Sequence, residues 1–333
     1  MAWRSLAFAL MASLASGLCA APASMNPDIS LSGLFLYDNL AGLGVQEIEL
    51  QASSDIDPYL RGSVMFSFAP DPLTKEFGAD VEEAYVDTLD LPALTLRAGK
   101  FKAALGKENG LHTHALPFLD APLANTALLG DEGFNDVGLS ASLLVPLPWF
   151  VEVTAQAFDS ANPELFASPS PGDLAGLGAL KTLLELGDNA TLEAMFSGAG
   201  GRNATEDITD IENMALTYKW RPNEARALVL GGEWMRRNVA FTAGQETRRG
   251  IAAWLQFQFA RRWWIEGRFD TLAHAELISP DTRKSSALLA YVPSEFSAYR
   301  LQYDWIESQV NAPEHKISLQ LNIAMGVHPA HSY

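Results

Sequence analysis

Two histidines, His112 and His114, stand one residue apart in a stretch that also carries Asp120, Asp131 and Glu132. Imidazole and carboxylate side chains are ligands for borderline metal ions, and histidine carries protons near neutral pH. A histidine pair at i and i+2 reaches one ion only from an extended segment, and the spacing fixes no third ligand. His112 and His114 are therefore metal candidates only. Polar packing of a loop is the alternative reading, and no cofactor is expected. Nucleophilic catalysis leaves less trace still. The chain has no Gly-x-Ser-x-Gly elbow and no glycine loop of the kind that cradles phosphate. Ser/His or Asp/His sites on a barrel wall escape any spacing test, yet few histidines fall within strand-like segments, His315 being borderline. The chain reads as a non-enzyme.

A second chemical set is spread along the whole sequence. Wherever apolar and polar residues alternate, charges occupy the polar positions. Glu47, Glu49, Glu83, Asp87, Glu152, Glu193, Glu233, Glu266, Asp270 and Asp304 stand against Arg61, Arg97, Lys181, Lys219, Arg268 and Arg300. Lys100 and Lys102 add a basic cluster beside Arg97. Ten acidic against six basic side chains on one face would make a field that sorts solutes, or a charge network that braces a wall.

The elements that would position these groups are strands. In Ile317-Ser318-Leu319-Gln320-Leu321-Asn322-Ile323 every odd position is apolar and every even one polar, so a strand here has one greasy and one wet face. Sixteen such segments follow one another: about 29–37, 45–53, 60–69, 81–89, 94–102, 136–146, 149–158, 176–186, 190–198, 210–220, 226–236, 248–259, 263–271, 283–292, 297–306 and 315–325. Most approach the roughly 9–11 residues of a tilted membrane strand. Pro146 and Pro148 make a hairpin of 137–158 rather than a helix, while 173–186 has a helical alternative.

From the second strand onward every other connection is tight, as at Asp55-Ile56-Asp57-Pro58 and Gly187-Asp188-Asn189. The rest are mostly longer, and Ala103–Asn135 is far the longest. This alternation predicts an all-β fold: a closed antiparallel transmembrane barrel of about sixteen strands (fourteen to eighteen), with short periplasmic turns and long extracellular loops. The third long loop has apolar anchors (Leu111, Leu116, Phe118, Leu128, Leu129, Phe134) and is expected to fold into the lumen. There His112, His114, Asp120, Asp131 and Glu132 would meet passing solutes. Aromatics near strand ends, Trp149, Phe150, Trp220, Trp263 and Trp264 on the turn side and Phe66, Phe68, Tyr303 and Trp305 on the other, predict two interfacial girdles.

The first 23 residues read as a signal peptide: Arg4, an apolar run from Leu6 to Leu18, and the small-residue cleavage site Ala21-Pro22-Ala23. The run is too short for a bilayer-spanning helix, which needs roughly 20 apolar residues. Residues 24–333 form one barrel domain without cysteine, since Cys19 lies in the signal. Hydrophobic residues make up 48%, ordinary for a soluble protein and equally so for a barrel whose lumen residues offset its lipid-facing ones. A formal charge of −17 and the lack of a Lys/Arg stripe exclude nucleic acid as a partner. The expected partners are outer-membrane lipids and lipopolysaccharide, small hydrophilic solutes, the barrel-assembly machinery and a possible second copy of the chain.

Five segments resemble a family of proteobacterial porin-like outer-membrane proteins: Asn26-Pro27-Asp28-Ile29-Ser30, Val81-Glu82-Glu83-Ala84-Tyr85, Leu96-Arg97-Ala98-Gly99-Lys100-Phe101, His112-Thr113-His114-Ala115-Leu116-Pro117-Phe118 and Gly133-Phe134-Asn135-Asp136-Val137-Gly138. Some members of that family are labelled zinc-regulated TonB-dependent receptors. The Arg97–Phe101 segment with Gly106 is also similar to phosphate-selective porins of the O/P type. The resemblance is dense over 26–158 and thin afterwards. It implies a barrel and transport across the outer membrane of a Gram-negative bacterium. The receptor label fits poorly, because such receptors close about 22 strands around a plug and this chain is too short for both. The residues themselves favour passive diffusion with a modest cation preference. An anion (phosphate) porin, a metal-related uptake protein and, behind these, a barrel enzyme are the alternatives.

Overall fold

In a computed structural model, residues 27–326 are described except 72, 73, 75, 171, 242, 243, 275–281 and 310. Residues 1–23, expected to be a signal peptide, and His328, His331 and Tyr333 lie outside the described residues. The strands are β1 Asp28–Asp38, β2 Gly42–Asp55, β3 Leu60–Pro70, β4 Phe77–Thr88, β5 Leu94–Lys102, β6 Asn135–Leu144, β7 Phe150–Phe158, β8 Ala161–Asn162 and β9 Phe166–Ala167. They continue with β10 Ala175–Glu185, β11 Ala190–Arg202, β12 Ile208–Asn223, β13 Arg226–Phe241, β14 Gly244–Ala260, β15 Trp263–His274, β16 Thr282–Ser294, β17 Ser297–Ser308 and β18 Glu314–Gly326.

Sixteen of these close into one antiparallel barrel, each pairing with its neighbour in sequence and β1 closing on β18. The exceptions are β8 and β9, a two-residue hairpin inside the connection from β7 to β10. The segment 173–186 is strand, not helix.

Period two decides which face goes where, and the result is inverted relative to a soluble protein. On β17 Leu301, Tyr303 and Trp305 are exposed (46%, 42% and 43%), while Arg300, Gln302 and Asp304 between them are buried (6%, 1% and 2%). On β18 Ile317 and Leu319 are exposed, and Ser318 and Gln320 are not. An apolar exterior around a polar interior suits a hydrocarbon solvent. Closure pairs the sixteen strands in a ring, which leaves no free edge strand facing lipid.

Apart from register shifts beside three tight turns, two bulges within strands break the alternation. Where β1 meets β2 the register shifts so that Gln46 is the extra residue, and where β3 meets β4 the extra residue is Glu82. A bulge re-aims a side chain, and both extra side chains turn into the lumen.

The connection between β5 and β6 holds two short 3-10 turns, Glu108–Gly110 and Thr113–Ala115, and one helix, α1 Leu123–Leu129. β5 begins to part from β4 at Gly99 while staying paired with β6 as far as Lys102. Gly99 has φ +136°, and a Cβ there would stand 2.1 Å from the Ala84 carbonyl oxygen, so only glycine fits. Pairing of β4 with β5 ends at Ala84 and Lys100, after which the Lys102 N–H donates to Glu83 Oε1 at 2.9 Å.

Candidate functional site: a loop across the lumen

From Lys102 the chain crosses the barrel and touches walls on opposite sides. Along the first leg, Ala104 N–H donates to Gln156 on β7 (2.9 Å) and Gly106 N–H to Ser197 on β11 (2.9 Å), while the Lys107 ammonium meets Glu193 (2.5 Å). Gly106 has φ +73°, and an added Cβ would fall 2.2 Å from Glu233 Oε1. Asn109 ties the leg to its return by donating to the carbonyls of Ala103 and Phe134 and accepting from Phe134 N–H.

Glu108 ends this leg wholly enclosed, its N–H on Glu233 Oε2 at 3.3 Å. Burial pushes its carboxyl up to about 7; Arg268 and Lys107 pull it back and Asp270 pushes it further. A raised carboxyl favours the seated loop fully below its ordinary value of 4.5, and that contribution is lost as pH rises through about 7. Channel conductance should therefore climb between about pH 5 and pH 8 as the loop loosens. Glu108→Gln should flatten that rise, and an unchanged profile in the variant would exclude Glu108 as its source.

The second leg carries the histidines. The His112 ring bonds Glu82 through Nδ1 (2.9 Å) and Glu83 through Nε2 (3.1 Å). Burial alone would lower its pKa, but these two carboxylates hold it up at about 10. His114, in the 3-10 turn, pairs with Glu49 on β2, and the two imidazoles lie parallel with centroids 6.0 Å apart. Lys102 completes the corner on Glu82 at 3.0 Å. The His114 carbonyl accepts from Asn322 on β18 (3.0 Å).

The third leg runs to the far wall. Arg300 on β17 donates to the Leu116 carbonyl (2.7 Å), Leu119 N–H to Gln302 (3.1 Å), and Gln46 to the Leu119 carbonyl (3.2 Å). Asp120 is clamped between Arg268 on β15 (2.8 Å) and Lys284 on β16. Burial would raise its carboxyl, yet the two cations hold it at about 2. Phe118 lies under the Arg268 guanidinium, 4.7 Å from ring centre, and packs with Leu119 on Trp254, Leu288 and Ala290. Next α1 lies along β13, β14 and β15, with its Leu128 carbonyl on Arg237 at 3.1 Å. Phe101, Leu105, Leu128, Leu129 and Phe134 form an apolar cluster inside the barrel with Phe158, Phe166, Ile211 and Met235.

No family model matches the chain. A protein of Aquifex aeolicus is 26% identical over 337 residues, covering 88% of this chain and 70% of its own length. Among solved structures, the anion-selective porin from Comamonas acidovorans superposes with TM-score 0.61 at 11% identity, over 91% of this chain and all of that one. The outer-membrane channel DcaP of Acinetobacter baumannii gives 0.61 at 8% identity, over 90% and 98%. OmpT of Vibrio cholerae, described in a trimer form, gives 0.60 at 9% identity, over 91% and 99%. The chain is a β-barrel of the outer-membrane type.

On that barrel the aromatics sort as an interfacial protein requires, with corrections. Trp149, Phe150 and Trp263 are exposed near the tight turns, and Tyr303 and Trp305 toward the other end. Trp264 leaves the expected girdle: it packs with Trp254 and Leu288 on the inner face. The position of the lumen charges is corrected too. Glu49 (2% exposed), Glu233, Glu266, Arg268, Arg300 and Asp304 do point inward, but the loop covers them, so they meet protein rather than open water. Glu47 accepts from Ser67, and Arg97 makes a two-pronged bond to Asp87 (2.8 and 2.9 Å) under which Tyr85 stacks. Arg61 sits beside Asp55 near a tight turn, 3.7 Å away. His112, His114 and Asp120 are all held against the wall. Asp131 and Glu132 are exposed on the return leg, apart from those three.

Strict alternation missed three groups. Glu82 and Gln46 are the bulged residues, which a period of two assigns to the wrong face. Lys284 lies on a strand the alternation found, and its phase there matches Ser286, an inward residue. That phase was the available signal.

Proposed function

We propose that the protein is a porin-like channel of the outer membrane for passive diffusion of small hydrophilic solutes, with a modest preference for cations. One observation carries the reading: the connection from β5 to β6 is bonded to strands around the whole wall, from β2 to β18, so any solute must pass beside it. The tight turns face the periplasm and the third loop enters from outside. The inward carboxylates in excess, though covered by the loop, then set the sign of the field along the solute path. Adding Glu82 on one side and Lys102 and Lys284 on the other narrows that excess without changing its sign. In a low-dielectric wall such a field is focused on the path.

The anion reading rested on Arg97, Lys100 and Lys102. Each is matched by a carboxylate: Asp87, Asp80 at 3.1 Å, and Glu82 at 3.0 Å. A neutralised cluster attracts phosphate weakly, so the cation reading is preferred. Bilayer lipids and lipopolysaccharide surround the exposed apolar belt, the barrel-assembly machinery inserts it, and a homo-oligomer packs through that belt. No catalytic role is assigned.

Reversal potential across a salt gradient tests the sign. A cation-selective value is expected, shrinking at high salt as screening shortens the field. Anion selectivity would refute it and promote the phosphate reading; Arg97→Glu should then invert the sign.

A further inference from the structure

We propose that the corner formed by His112, Glu49 and Glu82 binds a divalent metal ion of the zinc class, clasping the loop to the wall. The three side chains come from the loop, β2 and β4, and one ligand atom from each lies within 4.8 Å of the other two. Zinc takes imidazole nitrogen and carboxylate oxygen at about 2.0–2.2 Å, which places tetrahedral donors roughly 3.4 Å apart. Small side-chain rotations bring these three to that spacing. A fourth position stays open for water, as in zinc sites with three protein ligands.

The surroundings are those of a built site. Both carboxylates are enclosed, Glu49 at 2% and Glu82 at 8% exposure, and each presents an oxygen without a hydrogen-bond partner, Glu49 Oε1 and Glu82 Oε2. A buried carboxylate oxygen left unpaired is costly. A cation between the two would satisfy both. Glu83 accepts from His112 Nε2 at 3.1 Å, and the ion would take the place of the proton that Nδ1 shares with Glu82 Oε1 at 2.9 Å, releasing it to solvent. A carboxylate behind a ligating imidazole is the usual outer partner of such sites. His114 holds Glu49 from behind in the same manner. Glu47, Glu49, Glu82 and Glu83 crowd this corner against Lys102 and two imidazoles, so neutral imidazoles would leave negative charge in excess. Lys102 on Glu82 is the competing cation. It moderates the affinity, while the His112 imidazole favours zinc over calcium or magnesium, which prefer all-oxygen shells.

The placement deepens the reading of the histidine pair. Spacing supplied two imidazoles and no third ligand; the Glu82 bulge and the β2 wall supply the carboxylates. Only one imidazole ligates, while the other orients a ligand.

The test is metal content after equilibrium dialysis of the refolded full-length barrel against zinc, with calcium and magnesium as comparison ions. One zinc per chain is expected, with calcium and magnesium bound more weakly. His112→Gln and Glu49→Gln should each weaken zinc binding by more than about tenfold. Heat-modifiability on gels checks that each variant is folded, and Glu224→Gln, exposed in the turn between β12 and β13, should bind as the parent does. No stoichiometric zinc on the parent barrel, or equal binding by folded His112→Gln, would overturn the site. Because the readout is bound metal, a barrel that conducts anions leaves this result intact.

Discussion

Deleting residues 108–130 should raise single-channel conductance several-fold. The segment removed contains both 3-10 turns, α1 and the Asp120 clamp, and it touches β2, β4, β13, β15, β16, β17 and β18. The sixteen-strand wall retains its own hydrogen-bond ladder, so the barrel survives without its loop. What changes is the cross-section. Phe118, Leu119, Leu128 and Leu129, all nearly inaccessible, leave the lumen together with the backbone that carries them. The cost appears as stability, because Met235, Ile211 and Leu272 on the wall lose apolar neighbours and face water. Loss of packing at each large side chain is worth about 2–5 kcal/mol in a soluble core, and a wetted lumen lowers that figure. The melting transition should fall while conductance rises. Unchanged conductance would place the solute path away from the loop.

Replacing Asp120 with alanine should weaken the cation preference and loosen the loop in one step. Arg268 and Lys284 converge on this carboxylate from adjacent strands. Without it each cation keeps one acidic neighbour, Asp270 at 2.8 Å and Asp304 at 3.6 Å. Breaking a fully buried pair costs about 3–5 kcal/mol; the second partners and the open side of Asp120 bring the expected loss to about 1–3 kcal/mol. The path also becomes one charge more positive where the loop meets the wall. Reversal potential should move toward the anion side, more in dilute salt than in concentrated, and Asp120→Asn should shift it equally with a smaller stability loss. The pH sense follows from the depressed carboxyl. Its contribution is present above the ordinary value of 3.8 and is lost as pH falls through about 2, so mild acid leaves the clamp closed. A reversal potential indifferent to both variants would mean that ions do not sense Asp120.

Alternation carried most of the architecture. Ser318 and Gln320 against Ile317 and Leu319 is a pattern no helix tolerates, and it recurs often enough to count the strands. Proline at 146 and 148 separated hairpin from helix. The pattern could not show where it is deliberately broken. Gln46 and Glu82 each add one residue to one strand, and a period of two has no term for an insertion. Loop geometry was hidden for a different reason. The length of 103–135 and its apolar residues are local properties, whereas the partners of Asp120, Arg268 and Lys284, lie more than a hundred positions away. Nothing near Asp120 in sequence specifies them. Exposure of the lumen charges was misjudged because alternation gives the face of a side chain and not what later covers that face.

The loop draws its bonds from both ends of the chain: Gln46 on the second strand, and Gln302 and Asn322 on the last two. Those ends meet only where β1 zips to β18. Seating the loop is therefore conditional on sealing the seam, and a barrel caught half-assembled offers it no complete berth. During insertion the unsealed intermediate would have a wide, wet and unobstructed interior. On this order of events the barrel would gain its internal loop seat only as the last step of its own closure.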